Sequence, residues 1–171
     1  MKLSLILFSL ISFHFAVAQQ TAQAYFDYLQ AAEITVGTQL VTLSNQLKVA
    51  NKQQLQQLLQ DYRNTVNTAI EQVDDKDAFS KSKYLKQAFL NYLEAFKHIG
   101  KHDLKELIDV LAEENLENFH KEDVTDHSEK MNKHILTAEE EWATAKEKYI
   151  KHHNISTNDN PFKFYLEQTK H

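Results

Sequence analysis

The chain has 171 residues with no cysteine, two glycines and one proline, and its 19 basic and 24 acidic side chains give a formal net charge of −5. Without cysteine it can build neither a disulfide nor a thiolate metal site, and its interspersed charges leave no basic face for nucleic acid. So few glycines and prolines argue against a sheet protein, which needs turn residues about every 8–12 positions.

Residues 1–18 have the pattern of an export signal. Lys2 supplies the positive n-region, and Leu3 to Phe15 is an apolar run interrupted only by Ser4, Ser9, Ser12 and His14. Ala16-Val17-Ala18 fits a signal-peptidase site, so the mature chain is expected to begin at Gln19. The run is shorter than the roughly 20 apolar residues of a membrane span. No cysteine follows it to carry a lipid. The expectation is an exported protein, periplasmic or extracellular, without a lipid anchor or a transmembrane segment after cleavage. Loss of Lys2 leaves 18 basic against 24 acidic groups, a net charge of −6. Residues 19–171 are long enough for one domain that buries roughly 70% of its unfolded surface.

Apolar residues then recur at the helical period. The first helix is expected from about Thr21 to Val49, with Phe26, Leu29, Val36, Leu40, Leu43 and Leu47 on one stripe. Asn51 is a suitable N-cap for a second helix ending near Asp74, with Leu55, Leu59, Tyr62, Val66, Ala69 and Val73 on its stripe. A third starts at Asp77 or Ser80 and carries Leu85, Ala88, Phe89, Tyr92, Phe96 and Ile99. Beyond Gly100 the apolar phase slips to Leu104, Leu107, Ile108 and Leu111. Glycine within a helix costs about 1 kcal/mol against alanine and often marks a cap or kink. The third helix is therefore expected to kink or break there, turning His98 and His102 to different sides. A fourth helix is expected from about Asp126 to His152, with Met131, Ile135, Ala138, Trp142, Ala145 and Tyr149 facing inward. Asn160-Pro161 resembles the start of a short C-terminal helix. These elements predict an all-α fold, an elongated up-down-up-down four-helix bundle.

All histidines after residue 18 lie from His98 onward. His98, His102, His120, His127 and His134 are the candidate metal ligands, with the carboxylates of Glu117, Asp123 and Asp126 near in sequence. Their spacing is loose, and structural zinc sites usually show tight ligand pairs including cysteine. The reading adopted is solvated histidines with no metal and no cofactor. Glu117-x-x-His120 occurs once, whereas a di-iron bundle needs the motif twice. The sequence has no G-x-S-x-G elbow, P-loop or G-x-G-x-x-G. Glu33 stands on the first helix's apolar stripe. It is either a polar site inside the bundle or a carboxylate that reaches solvent or a lysine. Phe162, Phe164, Tyr165 and Leu166 form an aromatic cluster expected to close one end of the bundle.

The leader, "AQAYFDYLQAAEITV" opening the first helix and "KYLKQAFLNYLEAFKHI" in the third together resemble small secreted helical-bundle surface proteins of unknown function from Bacteroidota and leptospires. The resemblance implies a four-helix fold outside the cytoplasm and brings no catalytic residues with it. The leading expectation is a non-enzymatic, exported binding protein with an envelope partner. The alternatives are a metal-binding protein using the His-rich half and an enzyme with a site near Glu33. Intact-mass measurement of the exported protein should give a chain beginning at Gln19. A species retaining residues 1–18 would make the segment an anchor.

Overall fold

The computed structural model describes residues 21–47, 49–111 and 121–156. These hold five helices: α1 (Ala22–Gln46), α2 (Lys52–Asp75), α3 (Lys83–Lys101), α4 (Asp103–Leu111) and α5 (Lys121–His153), with no strand among the described residues. Only His102 separates α3 from α4, and the two form one helix bent by 24°, so four long rods make the bundle. No helix among the described residues is long and apolar enough to cross a membrane. The proposed C-terminal helix and the aromatic cluster at 162–166 lie outside the described residues.

The helix starts follow from local chemistry. Thr21 Oγ1 accepts from the amide of Ala24 at 3.0 Å. Asn51 and Gln54 form a reciprocal capping box, each side chain accepting from the other's amide at 3.0 Å. Both satisfy amides that a helix start leaves without an intrahelical acceptor. Helix α5 begins at Lys121, ahead of the expected start near Asp126.

Side-chain contacts show that neighbouring rods run antiparallel. Tyr28 near the start of α1 donates to Gln72 O near the end of α2. Tyr62 of α2 donates to Phe96 O, while Lys86 near the start of α3 reaches Asp74 and Lys76 at the end of α2. Along α5, Trp142 meets Phe89, and Tyr149 Oη donates to Ala22 O. The core is one cluster with side chains from all five helices. At its centre Phe89 stands 4.6 Å from Trp142, and Tyr92 stands 4.5 Å from Phe96, ring centre to ring centre. Every predicted inward position of α2 is buried, as are Ile135, Ala138, Trp142, Ala145 and Tyr149 of α5.

Gly100 has a steric role that the sequence does not display. A Cβ added there would lie 2.6 Å from Tyr62 Cε1 and 2.9 Å from Cδ1. The Tyr62 ring is fully buried and tethered by its hydroxyl to Phe96 O at 2.8 Å, so it has little freedom to withdraw. Beside it, Arg63 Nε donates to Gly100 O at 2.8 Å and Nη2 to Lys101 O at 3.4 Å. The bend thus presents its carbonyls to a guanidinium, a group that favours the C-terminal end of a helix. Gly100→Ala is expected to destabilise the protein by roughly 1–3 kcal/mol through overpacking, although alanine is the better helix former by about 1 kcal/mol. In a Tyr62→Leu background the same substitution should cost much less. Chemical denaturation of the four proteins gives this coupling, and a stabilising Gly100→Ala in both backgrounds would contradict the steric account.

Candidate functional site

The bend in α3–α4 brings the middle histidines together. The His102 amide donates to His98 O at 2.9 Å, so the helical bond pattern spans Gly100. The expectation that His98 and His102 point to different sides is therefore corrected: their rings lie 4.6 Å apart, one helical turn from each other. On its other side His98 meets His134 of α5, with ring centres 5.3 Å apart and nearly perpendicular planes. His134 Nδ1 donates to Asp103 Oδ2 at 3.0 Å. Asp103, the first residue of α4, is buried, whereas His98 and His134 are exposed. One ligand atom from each of His98, Asp103 and His134 lies within 4.8 Å of the other two.

The imidazoles of His98 and His134 help line a groove of about 480 Å³ between α3 and α5. Ala95 and Ala138 supply apolar lining, while Asn91, Lys130, Lys133, Thr137 and Glu141 add polar groups. The groove follows from residue size: alanines on facing helices leave space that the aromatic residues elsewhere along the same interface fill.

Among the other sequence candidates, His102 is the one whose side chain is described. His102 touches His98 but lies outside the three-ligand set. Glu117 and His120 lie outside the described residues, and Asp123 and His127 stand in the first turns of α5. Asp103 is the member that sequence reasoning missed as a ligand. It reads as the opening residue of a new segment, and its place beside His134 depends on the angle of the bend.

Glu33 is buried, and its Oε1 accepts from Lys146 Nζ at 2.8 Å, so the lysine-paired reading holds and the solvent-reaching one does not. The Lys146 ammonium also lies 5.0 Å from the centre of the Trp142 ring. Burial, followed by the nearby Glu33 and Glu139 carboxylates, pushes the Tyr92 hydroxyl well above the ordinary phenol value. The environment around Glu33 thus keeps Tyr92 protonated, and the ion pair fits a structural role inside the bundle.

Comparison with protein-family models, curated proteins and solved structures gives no match.

Lys146→Met would leave the Glu33 carboxylate in the core without its ammonium. It is expected to cost roughly 3 kcal/mol, at the low end for a broken buried pair because the Lys146 side chain is 21% exposed. Glu33→Leu combined with Lys146→Met should recover most of that loss. Thermal and denaturant melts of the single and double variants check it, and a double variant no more stable than Lys146→Met would contradict the pairing.

Proposed function

We propose that this chain is an exported, non-enzymatic helical-bundle protein that binds a partner at the cell envelope or outside it. The observation that carries the reading is the groove between α3 and α5. It combines apolar alanines with imidazole, ammonium, amide and carboxylate groups in one concavity. Binding sites typically combine apolar walls with a few orienting polar groups in this way. Export is supported by the leader pattern of residues 1–18. The enzyme alternative near Glu33 is weaker, because its carboxylate is buried and held by Lys146.

The test is capture from native envelope extract with wild-type protein and with Ala95→Glu, which places a carboxylate in the groove from a partly buried position. Wild type should enrich a saturable partner, and the variant, shown folded by circular dichroism, should lose it. Equal capture by both proteins would contradict the groove as the binding surface.

A further inference from the structure

From the groove wall we infer that His98, Asp103 and His134 form a binding site for a divalent first-row transition ion, zinc(II) or copper(II), with an open coordination position facing the groove. The inference names a ligand for the groove and so rests on the groove being the binding surface. Three features carry it. The donors come from three helices, α3, α4 and α5, yet one ligand atom from each falls within 4.8 Å of the others. The donor chemistry is two imidazoles and one carboxylate, a set suited to zinc, copper or iron and lacking the thiolates of a closed structural site. Asp103 is 7% exposed and already directed at His134, so its negative charge is held inside the site.

The geometry also sets what binding requires. Metal–ligand bonds of about 2.0–2.2 Å hold tetrahedral ligand atoms roughly 3.3–3.6 Å apart. With all spacings within 4.8 Å, the widest contracts by no more than about 1.2–1.5 Å to reach that range. Asp103 is fixed by burial, and the movement falls to the two imidazoles. His134 has a side chain 45% exposed, and His98 is exposed, so both can change rotamer at small packing cost. An entering ion takes the place of the contact between His134 Nδ1 and Asp103 Oδ2, as ligands must bind in their deprotonated forms. Three protein donors leave a fourth position for water or a groove ligand, the arrangement of open zinc sites. His102 stands behind His98 and is a neighbour rather than a donor.

The test is calorimetric titration of the full mature chain, made without a histidine tag, with zinc(II) and separately with copper(II). One ion per chain is expected. His98→Gln, His134→Gln and Asp103→Asn should each weaken binding by roughly 10–100-fold or more. His152→Gln/His153→Gln, altering the adjacent pair at the C-terminal end of α5, should leave it unchanged. Copper(II) bound to wild type should show paramagnetic-resonance splitting from imidazole nitrogen that diminishes in each single histidine variant. Circular dichroism verifies that the variants remain folded. The inference is overturned by an absence of saturable binding, or by binding that survives the three site substitutions and disappears in the His152/His153 variant. Partner capture by apo protein that remains sensitive to Ala95→Glu would retain the groove reading while the metal reading falls. Stoichiometric metal binding with no groove-dependent capture would do the reverse.

Discussion

The contact on which the arrangement depends is the close approach of the Tyr62 ring to the backbone at Gly100. The missing Cβ lets α2 and α3 come closer than any other residue at 100 would permit. The Tyr62 hydroxyl on Phe96 O and the Arg63 guanidinium on the carbonyls of Gly100 and Lys101 lock that approach from two sides. Arginine suits the task because its guanidinium is planar with several donors in a fixed fork, whereas lysine offers a single point charge. With the bend held, α4 leaves α3 at a fixed angle, and Asp103 meets His134 while His98 remains beside both. Packing between α2 and α3 thus sets the geometry of a site made by α3, α4 and α5.

The interior has a polar component as well as the aromatic ladder of Phe89, Tyr92, Phe96 and Trp142. Glu33 and Lys146 join α1 to α5 across the core, and Tyr149 ties the beginning of α1 to the end of α5. A buried ion pair adds little net stability over apolar residues of the same volume, but breaking one partner is costly. We read the pair as a constraint on register: sliding α1 against α5 would separate a carboxylate and an ammonium inside a largely apolar core.

Much of the fold could be read from the sequence because each helix buries a narrow stripe against polar surroundings. The inward residues of α2 follow from period alone. The full extent of the core is less legible: Tyr25 and Leu93 are fully buried off the predicted stripes. Gly100 was recognisable as an irregularity, but its cause lies 38 residues earlier in the ring of Tyr62. Local propensity suggests a kink or a break there, and tertiary packing decides for the kink, retaining the helical bonds across a shallow bend. The site was legible in part for the same reason. His98 and His102 have the spacing of one helix face, and that spacing survives because the helix does. Asp103 and His134 come together only through the path of α4 along α5, which no local pattern encodes.

The most direct measurement of this account is amide hydrogen exchange, resolved by residue, across the α3–α4 junction. The amides of His102 and Glu106 donate to His98 O and His102 O, each at 2.9 Å. If Gly100 is a packing contact within a continuous bent helix, both amides should be protected to a degree close to that of the α3 core, and Gly100→Ala should lower protection there before it does so in α1. Fast exchange at His102 and Glu106 in the wild-type protein, comparable to that of a frayed helix end, would show that the helix breaks at Gly100 and would contradict the account.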